Sequence, residues 1–254
     1  MANPSYVRTQ TITRTAEIDA GLRAYMNKVY ALMAFAMIIT GLVAYVVGMD
    51  FKAMVNGQPT TLVPESLLAS MFSPPLVYVV MFAPLAVVFG LSAMINRISA
   101  STAQMVFWGF AALIGLSLSS IFAIYTGFSI ARTFFVTAIA FGGLSLYGYT
   151  TKKDISGWGA FLIMGVIGLI VASIVNIFLM SAAMQWAISV IGVLIFAGLT
   201  AYDTQKIKNT YLAMRSTPGG EAYLEKGAVM GALNLYLDFL NMFMFLLHFL
   251  GNRE

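Results

Sequence analysis

The sequence predicts an all-α integral membrane protein, a bundle of seven transmembrane helices with the last of them in its interior. Three observations predict it. Hydrophobic residues make up 60% of the 254-residue chain and charged residues only 9%, whereas soluble domains carry about 25% charged residues. The mean hydropathy is +0.86. Seven apolar runs recur along the chain, each close to the ~20 residues that cross a bilayer as a helix.

The runs lie at about 29–49, 75–95, 103–125, 129–149, 158–180, 184–202 and 228–250. A polar segment, 1–28, precedes them, and a tail, 251–254, follows. The first segment carries Arg8, Arg14, Arg23 and Lys28 among polar residues. It is too long and too mixed for the basic start of a signal peptide, so the first span is expected in the mature protein. Short joints with turn or cap residues separate most spans: Asn96-Arg97-Ile98-Ser99, Thr126-Gly127-Phe128-Ser129 and Thr150-Thr151-Lys152-Lys153-Asp154. Two connections read as longer: Asp50 to Pro74, with Asn56-Gly57, and Thr204 to Lys226, with Pro218-Gly219-Gly220. Glycine and serine are dense in spans three to six: Gly115, Ser117, Ser119, Gly142, Gly143, Gly165, Gly168, Gly192 and Gly198. Small residues there are expected to let helices pack closely.

Lysine and arginine set the orientation. The N-terminal segment and the joints after spans two, four and six hold eleven of the 14; Lys52 and Arg253 lie on the other side. The N-terminus is therefore expected in the cytoplasm and the C-terminus outside. Arg132, just inside span four, reads as a snorkelling anchor. Trp158 and Trp186 fall at span ends, as an aromatic belt places them. Cysteine is absent, which excludes disulfides, thiolate catalysis and cysteine metal sites. The basic charges sit in loops, so they mark orientation and not a nucleic-acid surface. Gly115-Leu116-Ser117-Leu118 and Gly143-Leu144-Ser145-Leu146 do not complete a serine-hydrolase elbow. No phosphate loop or metal-spaced histidine cluster is present, and no cofactor is expected.

The chemistry gathers on the last span. Asp238 has ten residues before it and twelve after it in the run Ala228 to Leu250. An Asp near mid-membrane costs roughly 2.5–3.5 kcal/mol on insertion scales. Asn234, Asp238 and Asn241 are spaced i, i+4, i+7 and share a helix face. His248, the lone histidine, falls near that face further on. A polar stripe on a greasy helix must face other helices or water, so Asn234, Asn241 and His248 are expected to line the interior with Asp238. The second acid at membrane level is Asp203, at the cytoplasmic end of span six, where span seven begins. Two carboxylates in one low-dielectric site cannot both ionise cheaply, so they are expected to share a proton and titrate as a pair. Ionised, they would attract a hard cation in passing through oxygen ligands. Arg97, at the same side, is the natural partner for Asp203.

Three motifs carry a resemblance: Leu146-Tyr147-Gly148-Tyr149-Thr150-Thr151-Lys152-Lys153-Asp154, Ala201-Tyr202-Asp203-Thr204-Gln205-Lys206-Ile207, and Leu235-Tyr236-Leu237-Asp238-Phe239-Leu240-Asn241. In this order they resemble the Bax inhibitor-one family of membrane proteins, in its bacterial branch, over residues 29–250. The resemblance implies a seven-helix bundle with the last helix at its centre, in a bacterial inner membrane. It implies a pH-sensitive calcium leak in which Asp203 and Asp238 are the sensing pair and Arg97 latches to Asp203. Calcium is then the permeant ion, and the lipid bilayer and a membrane protease are the partners implied. The cell-death role of eukaryotic members does not carry over to a bacterial-looking chain. Two other classes stay open: a non-conducting regulator of a membrane protease, and an intramembrane aspartyl protease. The second needs two Asp on neighbouring helices, and Tyr202-Asp203 suits it. Its second motif, Gly-x-Gly-Asp, is missing before Asp238.

Overall fold

The computed structural model describes the backbone of residues 4–253 and the side chains of residues 19–253. The side chains of Arg8 and Arg14, and Glu254, lie outside the described residues. The chain forms α1 (Pro4–Val55), α2 (Glu65–Met71), α3 (Leu76–Met94), α4 (Ala100–Leu118), α5 (Ile121–Ile124), α6 (Gly127–Thr150), α7 (Trp158–Leu179), α8 (Ala182–Met214) and α9 (Gly220–Leu250). There is no strand among the described residues beyond an isolated bridge between Tyr125 and Arg253. Seven helices are long and apolar enough to cross a membrane: α1 from Asp19, α3, α4 with α5, α6, α7, α8 and α9. The all-α membrane bundle is as the sequence predicts.

Local chemistry starts and stops these helices where expected. Ser99 caps α4, accepting from the Thr102 amide, and Thr126 caps α6, accepting from the Ser129 amide. Each side-chain oxygen satisfies one of the orphan donors of a helix N-terminus. Trp158 opens α7 and stays exposed, as does Trp186 near the start of α8.

Three expectations need correction. The connection from Thr204 to Lys226 is mostly helix, because α8 runs on to Met214 and α9 begins at Gly220. Ile207 and Leu224 are buried, so apolar positions on one face keep both helices wound although many of the exposed positions are polar. The turn between them uses Gly219 at φ +75°, a left-handed value that suits glycine. The connection from Asp50 to Pro74 is likewise shortened: α1 continues to Val55 and α2 occupies Glu65–Met71. Span three breaks after Leu118, where the Ser119 hydroxyl donates to the Leu116 carbonyl at 2.6 Å.

α9 packs against α8, α1, α6 and α4. Its most apolar window is 61% buried, against at most 33% for any other span. Tyr236 anchors it: the ring meets Phe107 and Phe110 edge-on, and the hydroxyl bonds Thr40 of α1 at 2.6 Å. Thr40 in turn donates to the Ala111 carbonyl of α4. α3 and α7 are peripheral: α3 packs on α4 and α2, and α7 packs on α8. Most of the noted glycines do mark close approaches. Gly115 lies against the Thr40 backbone, Gly165 against Ile195 and Gly198 against Leu162. Gly142, Gly143 and Gly168 face open space instead, so close packing does not explain them.

Candidate functional site

α8 and α9 run antiparallel as the most extensively packed pair in the bundle. Their register can be read from two close approaches. Gly231 faces Ile207, and Gly192 faces Phe245. Asp203 therefore lies level with Asn234 and Leu235, and Asp238 one turn deeper, about 5 Å along the axis. Both acids are buried. Both line one cavity of about 700 Å³ bounded by α3, α4, α7, α8 and α9. Asn234 and Asn241 line it as well, so the polar stripe on α9 faces this space.

Asp238 is the most unusual group in it. Its Oδ2 is buried and receives no hydrogen bond among the described residues. An unsatisfied buried polar oxygen costs about 1–3 kcal/mol, and such groups call for a functional explanation. A structural hydrogen bond between helices, the plain alternative for this residue, is not present at that atom. The Asn241 amide donates to the Leu237 carbonyl at 2.8 Å, which leaves its Oδ1 as an acceptor. The face of α8 turned away from the cavity is tied down by a hydroxyl chain. Tyr30 bonds Ser145 at 2.7 Å, Ser145 bonds Thr204 at 2.9 Å, and Thr204 donates to the Thr200 carbonyl. Gly148 of α6 lies directly on the Ala201 carbonyl. These contacts fix the turn of α8 that carries Asp203.

Two expected residues are elsewhere. His248 does not line the cavity. Phe245 lies across that end, stacked on Phe196 at 5.9 Å and flat on Gly192. His248 sits one turn beyond it, exposed, with its ring edge-on to Tyr125. Arg97 is exposed beyond the end of α3 and has no ion pair among the described residues. α3 is packed on α4 and not on α8, and the cavity separates it from Asp203. The basic residue that lines the cavity with Asp203 is Lys206, exposed and one turn along α8. Its Nζ lies 5.9 Å from the centre of the Tyr202 ring. The spacing Asp203-x-x-Lys206 puts the two on one helix face and could have signalled this. Arg132 does more than snorkel: its Nη2 donates to the Leu250 carbonyl at 2.9 Å and closes the end of α9.

Asp50 is a buried acid that the sequence reading passed over. Its carboxylate accepts from the amides of Thr61, Leu62 and Val63 and from the Thr61 hydroxyl, at 2.6–2.8 Å. All its work is structural: it folds the segment after α1 back onto the helix.

Comparison with known proteins agrees with the motifs. The family model described as "Inhibitor of apoptosis-promoting Bax1" matches residues 22–254. The inner membrane protein YbhL of Escherichia coli K12 is 45% identical over 236 residues, covering 92% of this chain and 94% of YbhL. An uncharacterized protein of Caulobacter vibrioides is 47% identical over 259 residues, covering 99% of this chain and 98% of that protein. An uncharacterized protein of Rickettsia prowazekii is 44% identical over 249 residues, covering 97% and 98%. With seven membrane-length helices and matches that span almost the whole chain, the protein is a multi-pass inner membrane protein and a member of the Bax inhibitor-one family.

Proposed function

We propose that this protein is a pH-sensitive calcium leak, gated by the carboxylate pair Asp203 and Asp238 and by Arg97. The observation that carries the reading is the buried, unpartnered Oδ2 of Asp238 in a cavity shared with Asp203. A carboxyl group kept at membrane depth without a structural partner marks an ion or proton site. The lysine- and arginine-rich end lies in the cytoplasm, which puts Asp203 and Lys206 at the cytoplasmic mouth and the C-terminus outside. A reporter fused after the last residue tests that orientation; a cytoplasmic signal would overturn it. Calcium meets the oxygens of Asp203, Asp238, Asn234 and Asn241 in passing. Among the described residues no cluster of three or more acids or histidines forms there, which suits a transit path better than a storage site.

The gate works through α3. Its far end carries Arg97; α4 is its main neighbour among the spans, and the Asn96 carbonyl beside Arg97 accepts from Lys226 of α9 at 3.2 Å. Moving α3 toward α8 brings the guanidinium to Asp203 and narrows the cavity. Protonating the pair removes the charge that Arg97 seeks and releases α3. Calcium flux from proteoliposomes of the pure protein, measured from pH 6 to pH 8, tests this. Flux is expected to rise on acidification. Arg97→Ala is expected to leak more at high pH and to flatten the response. Asp203→Asn is expected to mimic the acid state, and Asp238→Asn to lower flux throughout. Wild-type pH dependence in both Arg97→Ala and Asp203→Asn would exclude the mechanism.

A second reading has one observation in its favour. α8 and α9 continue beyond the cavity mouth as a helical hairpin, from Lys206 to Lys226. That surface suits a regulator that docks on a membrane protease without conducting. Pure protein that carries no calcium at any pH would favour it.

A further inference from the structure

The cavity around Asp238 is built mainly of hydrocarbon. Leu85 and Val88 of α3 face Val166 and Ile170 of α7 across it. Among the described residues α3 and α7 share no extensive contact, so packing does not close the gap between them. Ile163, Ile170 and Ile174 on the α7 side of that gap are exposed, which in a membrane protein means exposed to lipid. The cavity therefore opens sideways into the bilayer. An amphiphile gains both from such walls and from such an entrance. The volume, about 700 Å³, falls within the roughly 300–1,000 Å³ of small-molecule sites.

Two acceptors lie at its depth. Asp238 Oδ2 has no donor among the described residues, and Asn241 has an unused Oδ1 because its amide is committed to Leu237. Lys206 does not fill the vacancy, since it stays exposed at the mouth beside Tyr202. A buried carboxylate without donors is costly unless a cation or donor reaches it. We propose that the cleft binds a lipophilic amine that enters from the bilayer between α3 and α7. The hydrocarbon body lies against the α3 and α7 walls, and the ammonium donates to Asp238 Oδ2 and Asn241 Oδ1.

The inference shares Asp238 with the calcium reading but needs no conduction, so it is tested without calcium. The probes are 1-adamantylamine and its neutral counterpart 1-adamantanol, titrated by calorimetry into the full chain in lipid nanodiscs. The amine is expected to bind saturably at one site, and the alcohol at least tenfold more weakly. Asp238→Asn is expected to weaken amine binding at least tenfold. Val166→Phe narrows the cleft, leaves every charge in place and is expected to weaken it as well. Lys152→Ala, in an exposed joint, is expected to bind as the parent does. Equal binding of amine and alcohol would overturn the proposal. So would parental amine affinity in both Asp238→Asn and Val166→Phe. Amine binding by a protein that carries no calcium would remove the calcium reading and keep this one. Calcium flux without amine binding would do the reverse.

Discussion

Replacing Asp238 by leucine should make the protein more stable while abolishing its activity. Asp238 is 4% exposed, and its Oδ2 has no hydrogen-bond donor among the described residues. At the centre of a membrane helix, Asp costs roughly 2.5–3.5 kcal/mol on insertion scales and Leu gains about 0.3–0.6 kcal/mol. The full difference, roughly 3–4 kcal/mol, applies to a lipid-facing site. Here Asn234, Asn241 and Asp203 share the cavity and soften the cost of the acid. About 1–3 kcal/mol should remain, which is the cost of one unsatisfied buried polar group. The cavity accepts the larger leucine without overpacking. For a chain of this size 1 kcal/mol moves Tm by roughly 2–4 °C, so Asp238→Leu should melt about 2–12 °C higher. Heating the protein as a fluorescent fusion and following its size-exclusion peak reads this directly. Asp238→Asn, nearly isosteric, should shift less in the same direction. A fall in Tm of similar size in both variants would refute the reasoning, because it would show that the fold depends on a bond made by the carboxyl group.

Other outcomes follow from neighbouring contacts. Phe245→Ala removes the ring that lies across the deep end of the cavity on Phe196 and Gly192; calcium flux should rise several-fold at every pH, and unchanged flux would mean the path runs elsewhere. Gly148→Ala drives a Cβ into the Ala201 carbonyl and should cost about 1–3 kcal/mol by overpacking, seen as a lower Tm with a distorted pH response, because Asp203 lies on the same turn of α8. Asp50→Ala strips an acceptor from three backbone amides and a hydroxyl; charge-assisted bonds of this kind are worth roughly 1.5–3 kcal/mol, so Tm should fall by several degrees while the pH profile of flux stays as in the parent.

Much of this arrangement was legible because membranes simplify the code. Lipid forces every span to be apolar, so an acid inside a span stands out, and Asp203 and Asp238 were visible for that reason. Caps were legible too, since Ser99 and Thr126 precede apolar runs. The helical course of Thr204 to Lys226 was not, because many of its residues are polar and only Ile207, Leu224 and a few others keep the helical period. The depth of His248 depended on where Phe245 rests, and that is set by Gly192 on another helix. Arg97 was placed near Asp203 by its end of the membrane alone. Being at the same end does not bring two residues together when their helices are packed on different neighbours. Asp50 gives no local signal, as its partners lie 11 to 13 residues later in a segment without periodicity.

The packing also decides which parts can move. α9 is held by α1, α4, α6 and α8, and its hydroxyl bond to Thr40 ties three helices together. The turn of α8 that carries Asp203 is fixed by Gly148 and by the Tyr30–Ser145–Thr204 chain. Moving either acid therefore breaks buried contacts in several elements at once. α3 and α7 each pack extensively on one span, α3 with an added bond from Lys226 of α9 to the Asn96 carbonyl, and their most apolar windows are only 11% buried. Displacing them mainly exchanges helix contacts for lipid contacts, which are equally apolar, so the cost is small. The cavity is thus bounded by α8 and α9, which hold the carboxyl groups, by α4, and by the two peripheral helices α3 and α7. Under the proposed gate, a change of charge at the acids would act on the peripheral helices, which move at the least cost, and Arg97 follows the end of one of them, α3.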